Sequence, residues 1–157
     1  VELDKQAFTL GALVLANFGQ KADFIHDRAD FSQAQRQGRE QGSIIIVLAT
    51  DIPMESRQLK RLCRRMPAAL ARTGSYLGNG SGDVVIAFST ANPIPHFSTR
   101  AFRTMNVLHE DQMDEVFRAG IEACEEAVRS ALDHAQTVIG RQGHIRRSLQ
   151  DTLAQRK

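Results

Sequence analysis

A serine that follows a glycine at the start of an aliphatic run is the main chemical feature of this sequence. The run Ile44–Val47 is rich in β-branched residues and predicts a strand buried on both faces. Ser43 would then be the first residue of a rigid element, which is how a nucleophile of acyl chemistry has to be held. Gly42 lets another group approach the backbone closely. A Gly-Ser step is common at strand starts, so other residues must complete a site.

A second polar pair lies in a glycine-rich segment further along the chain. Four glycines between residues 74 and 83 predict a loop whose backbone can approach a ligand, and Gly78, Asn79, Gly80 and Gly82 are candidates for a substrate-binding loop. Ser81 and Asp83 stand two residues apart where the next strand begins. They should share a face and place a hydroxyl beside a carboxylate. The alternatives are a plain turn or a phosphate loop, but no Gly-Lys-Ser/Thr follows and Asp83 would repel an anion.

The first part of the chain must position these groups. Residues 7–18 are apolar and predict a strand or strand pair, with Gly11 as a bulge or close approach and Asn17 as the one strong hydrogen-bonding side chain near its end. Residues 20–41 are polar without a sustained period. A connection of about twenty residues is long for a compact domain and is usually functional or disordered. It ends at Gly42-Ser43, so it would be accessible to cutting.

Helical patterns follow the aliphatic strand. One helix is predicted from about Ser56, a candidate N-cap, and Pro67 should kink or split it. Its arginines and lysine cover the opposite face, a solvated or subunit-facing surface. A long helix is predicted over 110–139 and should stop at Gly140, and 144–156 forms a short basic end segment. Strands packed under helices predict an α+β or layered α/β domain.

Composition bounds the remaining choices. The 157 residues suffice for one domain, and 42% apolar and 24% charged residues are ordinary for a soluble globular protein. A net charge of +2, with no Trp and one Tyr, gives no reason to expect nucleic-acid binding. Cys63 and Cys124 fall in helical patterns as buried free thiols, without zinc spacing. The chain has no initiator Met, signal sequence or membrane-length apolar run, so we expect a piece of a longer protein and favour a cytoplasmic location.

Together these motifs resemble the DmpA-type aminopeptidases, which are self-cleaving L-aminopeptidase/D-esterase and β-peptidyl aminopeptidase enzymes. The matching segments, in chain order, are 42–53, 58–62, 71–74, 79–83 and 87–92. This ordered set is more specific than any single motif. It spans essentially the whole chain but only about the C-terminal half of a family member.

The resemblance implies a layered αββα sandwich similar to N-terminal-nucleophile hydrolases. It also implies that the precursor cuts itself between Gly42 and Ser43. Residues 1–42, with a flexible linker over 20–42, would end the first chain, and residues 43–157 would form the second. Family members assemble as oligomers of such two-chain units and need no metal or organic cofactor. The missing N-terminal chain of the same precursor would therefore be an obligatory partner.

By the same resemblance, Ser43 is the nucleophile for hydrolysis of short peptides, amides or esters. Ser81 and Asp83 match the serine and acidic partner of the family, and Asn17 matches the asparagine that donates to the oxyanion. The catalytic tyrosine of the family lies in the N-terminal part, and nothing matches Tyr76 to that role. Small N-terminal residues, D-alanine amides and β-amino peptides all occur as substrates in the family, and the sequence does not choose among them.

Two other function classes stay open at this stage. An acyltransferase of related fold would pass the acyl group to an amine rather than to water, although such enzymes usually carry Thr at the cut. A ligand-binding protein could use the same sandwich without catalysis. The combination of Ser43, Ser81, Asp83 and Asn17 favours the aminopeptidase. A nucleic-acid module is the weakest option.

Overall fold

A computed structural model describes residues 1–25, 30–35, 38–39 and 42–155. The strands are β1 (Glu2–Leu3), β2 (Gln6–Ala7), β3 (Leu10–Asn17), β4 (Ser43–Thr50), β5 (Gly82–Ser89), β6 (Val138–Ile139) and β7 (Ile145–Arg146). The helices are α1 (Ser56–Cys63), α2 (Pro67–Arg72), α3 (Met113–His134) and α4 (Leu149–Ala154), with 3-10 turns at Lys21–Asp23, Glu110–Gln112 and Arg141–Gly143. No helix in these ranges is long and apolar enough to cross a bilayer.

The three long strands form one sheet in the order β3-β4-β5. The central strand, β4, runs antiparallel to β3, from Leu10 opposite Thr50 to Asn17 opposite Ser43. It runs parallel to β5, from Ser43 opposite Gly82 to Thr50 opposite Ser89. The parallel connection is made by the helical segment between β4 and β5, as parallel pairing requires.

Only one face of this sheet is covered within the described residues. Ile44, Ile46 and Leu48 are fully buried, and their core cluster includes Leu62 of α1 and Val116 of α3. The opposite face leaves large apolar side chains open: Leu13, Leu15, Ile45, Val84, Ile86 and Phe88. The prediction that β4 is buried on both faces is therefore wrong for this chain, since Ile45 is 43% exposed.

The first predicted helix divides in two, as Pro67 required. Pro67 opens α2 as its first residue, where its missing N–H has no intrahelical partner to lose. The N-cap of α1 is Glu55 rather than Ser56. Glu55 and Gln58 form a reciprocal capping box, in which each side chain accepts from the other residue's backbone N–H.

The long predicted helix is shorter than expected. It begins as a 3-10 turn at Glu110 and ends at His134, because the backbone becomes extended at Ala135. Val138 and Ile139 instead form β6, which pairs with β7 across the turn at 141–143. Gly140 therefore does not end the helix, and the basic end segment contains both β7 and α4.

Two predictions on the first part of the chain change. Gly11 sits in regular register opposite Ala49, and no atom lies within 4 Å of a Cβ built there, so it is neither a bulge nor a close approach. The predicted linker includes packed residues: Phe24 forms a β-bridge with Thr73, and Phe31 is 2% exposed. Positions 26–29, 36–37 and 40–41 of that predicted linker lie outside the described residues.

The arginines of α1 and of the turn after it contact other parts of the chain. Arg57 and Arg61 both pair with Glu110, and Arg61 and Arg65 stack over the ring of Phe117 at 5.3 and 4.6 Å. Glu110 thus ties the start of α3 to α1. The hydrogen bond from Arg57, with a further one from Gln58, lowers the pKa of Glu110 to about 2.

The cysteines are free thiols, as predicted. Cys124 is buried in the core and Cys63 is half-buried. Burial raises the pKa of both thiols, that of Cys124 to about 11.

Candidate active site

The strand register brings three of the sequence-predicted residues into one row across the sheet. Asn17, the last residue of β3, is opposite Ser43, the first residue of β4, and Ser43 is opposite Gly82, the first residue of β5. Asn17 and Ser43 are exposed, and directly paired residues share a face of the sheet. Both side chains therefore lie on the open, apolar face of the sheet, at the end where β3 stops and β4 begins.

The backbone N–H of Gly82 donates to two oxygens of the predicted cut site. The distance from its nitrogen to the Gly42 carbonyl oxygen is 3.4 Å, and to Ser43 Oγ it is 3.3 Å. One donor thus holds the carbonyl of the Gly42-Ser43 bond and the hydroxyl that would attack it. A backbone donor carries no residue-type signal, so the sequence predicts Gly82 only as part of a substrate-binding loop.

Ser81 and Asp83 flank this donor and form the predicted pair. Ser81 Oγ donates to Asp83 Oδ1 at 2.8 Å, and both residues are half-buried. The prediction that they share a face is confirmed. Neighbouring residues of a strand point to opposite faces, so Asp83 points toward the helix layer while the Ser43 side chain points away from it.

The glycine-rich segment forms the approach to this pair. The carbonyl of Gly78 accepts from Ser81 N–H at 2.9 Å, and Asn79 and Gly80 are exposed at the tip. Tyr76 is also exposed and lies in this loop. This short turn places Ser81 directly before the first residue of β5.

The end of β3 packs closely on the predicted cut site. A Cβ built on Gly42 would lie 2.4 Å from both the carbonyl oxygen of Asn17 and the Cα of Phe18, so any side chain there would collide with backbone. On its other side Asn17 borders an open cavity of about 500 Å³, whose walls include Phe24, Phe31 and Leu132. The Gly42-Ser43 bond is therefore held between the end of β3 and the start of β5.

The same chain matches a known family over nearly its whole length. The sequence model of peptidase family S58 matches residues 1–146. The chain belongs to peptidase family S58. Over 92% of its length, this S58 chain is 34% identical to the beta-peptidyl aminopeptidase BapA of Sphingosinicella microcystinivorans.

Solved structures give the same result for the fold. The L-aminopeptidase D-Ala-esterase/amidase of Ochrobactrum anthropi, described as a prototype for the serine aminopeptidases and a new variant among the Ntn hydrolase fold, superposes with a TM-score of 0.81 at 35% identity over 99% of the chain. A protein of Pyrococcus horikoshii superposes with a TM-score of 0.84 at 39% identity over 98% of the chain. The predicted layered α/β class, with its likeness to N-terminal-nucleophile hydrolases, is confirmed.

The S58 chain spans less than half of these relatives. It covers 41% of the BapA sequence and 44% of each of the two solved chains. The single covered face of its sheet agrees with that share, because one sheet with its helices makes half of a four-layer sandwich.

Proposed function

We propose that the protein containing this chain is a self-cleaving serine aminopeptidase, with Ser43 as nucleophile of both self-cleavage and hydrolysis. The observation that supports it best is the shared donor: Gly82 N–H contacts the Gly42 carbonyl oxygen and Ser43 Oγ together. A hydrogen bond to a carbonyl oxygen polarises it toward attack, and donors aimed at developing negative charge are a large catalytic term. The relatives named as aminopeptidases add weight to this reading.

Self-cleavage then proceeds in two steps. Ser43 Oγ attacks the Gly42 carbonyl carbon and loses its proton, the C–N bond to Ser43 breaks, and the nitrogen takes up a proton. The product is an ester between Gly42 and Ser43 Oγ with a free α-amine on Ser43. Water hydrolyses this ester, which leaves a carboxylate on Gly42 and regenerates the Ser43 hydroxyl. While the nitrogen is still an amide it is not basic, so the first step needs another proton acceptor on the open face of the sheet, because the Ser81-Asp83 pair lies on the helix side.

The mature site reuses the same atoms on a substrate. An α-amine titrates near 7.7–8.0 in model compounds, so a useful fraction is neutral at pH 7 to 8 and accepts the Ser43 Oγ proton. Oγ attacks the substrate carbonyl, the amine returns the proton to the leaving group, and water releases the acyl group. Asn17 Nδ2 donates to the oxyanion. Asp83, on the helix side of the sheet, faces the Ser43 main chain and stabilises the protonated amine.

We also propose that the rest of the precursor covers the open face of the sheet. Leu13 is 72% exposed and Leu15 is 70% exposed, and the relatives carry more than half of their length outside the matched region. A face with this many large apolar side chains needs a cover in a stable protein. Two-chain units of this kind would then assemble into the homo-oligomer expected from the resemblance.

The mass of the intact full-length protein tests the maturation step. We expect two chains split between Gly42 and Ser43, and a single uncut chain in Ser43→Ala. A Ser98→Ala variant in an exposed loop is the matched control and should be cut like the wild type. A folded wild-type protein that stays uncut would refute the proposal.

The substrate class needs a separate assay. Release of the N-terminal residue is measured for small L-residue peptides, D-alanine amide and β-amino peptides, with and without an added amine acceptor. Hydrolysis as the main reaction supports the aminopeptidase. Quantitative transfer to the acceptor would instead assign an acyltransferase.

A further inference from the structure

Two segments that are far apart in sequence cross at a pair of glycines just after the end of β3. Gly19 follows β3 and Gly74 follows α2, and both have positive φ, at 82° and 99°. The N–H of Gln20 donates to the Gly74 carbonyl at 2.8 Å. The β-bridge between Phe24 and Thr73 continues this contact, so the exit of β3 is bound to the segment that leads into the glycine-rich loop.

The crossing leaves no room for a side chain on Gly19 and only a tight space for one on Gly74. A Cβ on Gly19 would lie 2.7 Å from the Gly74 carbonyl oxygen, which real Cβ contacts essentially never show. A Cβ on Gly74 would lie 3.1 Å from the Gln20 carbonyl oxygen and 3.3 Å from the Cα of Phe24. The neighbours of Gly19 are backbone atoms, and those of Gly74 are backbone atoms and the Cβ of Phe24, none of which can rotate away as a side-chain end can.

Each partner of this crossing is connected by a short path to a proposed site residue. Gly19 is two residues after Asn17, at the point where β3 ends. Gly74 begins a loop whose conformation is fixed by Leu77 N–H donating to Ser75 Oγ at 2.9 Å, and by Ser81 N–H donating to the Gly78 carbonyl. That loop ends at Gly82, the donor to the cut site.

We infer that Gly19 and Gly74 are positioning residues: the strand register puts Asn17 opposite Ser43, and the contact between the two glycines holds the exit of β3 so that the Asn17 side chain keeps its place relative to Ser43. This inference rests on the proposed function. A methyl group on Gly19 must push the β3 exit away from Gly74 by several tenths of an ångström. Misplacement of about 1 Å can cost about 10²-fold in rate, so Gly19→Ala should lower kcat by roughly 10- to 100-fold, with KM changed by about twofold or less.

The experiment compares four glycine variants of the full-length protein by self-cleavage rate, kcat and KM. The test variants are Gly19→Ala and Gly74→Ala. Gly140→Ala, whose Cβ would lie at an ordinary 3.5 Å from the His144 carbonyl oxygen, controls for an added methyl group, and Gly143→Ala, at φ 77° with nothing within 4 Å of the Cβ, controls for backbone strain. Only the two test variants should lose kcat.

A double-mutant cycle separates positioning from a general loss of structure. If Gly19 acts through Asn17, adding Gly19→Ala to an Asn17→Ala protein should cost almost nothing further in kcat. Penalties that multiply would overturn the inference, as would full kcat in Gly19→Ala and Gly74→Ala. If neither variant folds, the pair is a folding element and the inference also fails. An inactive, uncut wild type would instead refute the proposed function itself.

Discussion

Replacing Asp83 with Asn should move the acidic limb of the pH profile of kcat/KM to lower pH. A carboxylate near the Ser43 α-amine favours the protonated amine and raises its pKa. The isosteric amide removes that charge and still accepts from Ser81 Oγ, which bonds Asp83 Oδ1 at 2.8 Å. The amine then becomes a free base at lower pH, so activity should persist further into acid.

The strand register gives the size of the shift. Asp83 is opposite Ile44, the residue after Ser43, and adjacent strands lie about 4.8 Å apart, which puts the carboxylate on the order of 6 Å from the α-nitrogen. The Coulomb energy at that distance is about 0.7 kcal/mol in water and about 3 kcal/mol at an effective dielectric constant of 20. The pKa of the amine should therefore fall by about 0.5 to 2 units.

The assay is kcat/KM against pH, because its limbs report groups of the free enzyme. Asp4→Asn is the control. Asp4 lies in the turn between β1 and β2, which comes just before Leu10, the end of β3 opposite to Asn17. At strand spacing the length of β3 puts that end about 20 Å from the site. The profile of Asp4→Asn should match the wild type. An acidic limb that stays in place in Asp83→Asn, or moves to higher pH, would refute the assignment of Asp83 to the amine.

Three further predictions follow from the site and the packing. Asn17→Ala should lower kcat by about 10²- to 10³-fold with little change in KM, and steady-state kinetics showing a raised KM at normal kcat would contradict an oxyanion role. The pKa of Glu110 is lowered to about 2, mainly by Arg57, so the stabilisation from this carboxylate is complete above its unfolded pKa near 4.5 and is lost as pH falls toward 2. Urea unfolding should therefore show that Glu110→Gln is less stable than the wild type at pH 7 and equally stable near pH 2. Equal stability at pH 7 would count against the ion pairs. With its pKa near 11, buried Cys124 should react with iodoacetamide at pH 8 only as fast as the protein unfolds, more slowly than the half-buried Cys63, and rapid labelling of Cys124 without unfolding would contradict that packing.

How much of the site could be predicted from the sequence depends on the range of each signal. The Ser81-Asp83 pair follows from two-residue spacing on a strand, which is local, and the structure has it. The alignment of Asn17 with Ser43 depends on the register of strands separated by the long connection, and nothing local sets that register. The resemblance to the family identifies the candidate site residues, and the strand register shows how they are arranged.

The fold predictions failed where a local sequence pattern is overridden by contacts distant in sequence or by the part of the protein outside this chain. Ile45 looks like a doubly buried residue because the complete protein has a cover for it, by our proposal, whereas the chain alone leaves its side chain open. Ile139 continues the apolar stripe of α3 at helical spacing. Its pairing with Ile145 nevertheless draws the segment into a hairpin, and tertiary pairing overrides the periodicity.

The pairing of β3 with β4 has a consequence for the life of the molecule after cutting. A cut between Gly42 and Ser43 separates the two strands covalently, yet eight opposed residue pairs still join them. The two chains would stay associated through this strand pairing after the cut. Once such a molecule is unfolded, however, its halves must find each other in solution, so renaturation becomes second order and concentration-dependent, while the uncut precursor refolds as a single chain. Maturation would thus make the recovery of the folded state depend on protein concentration.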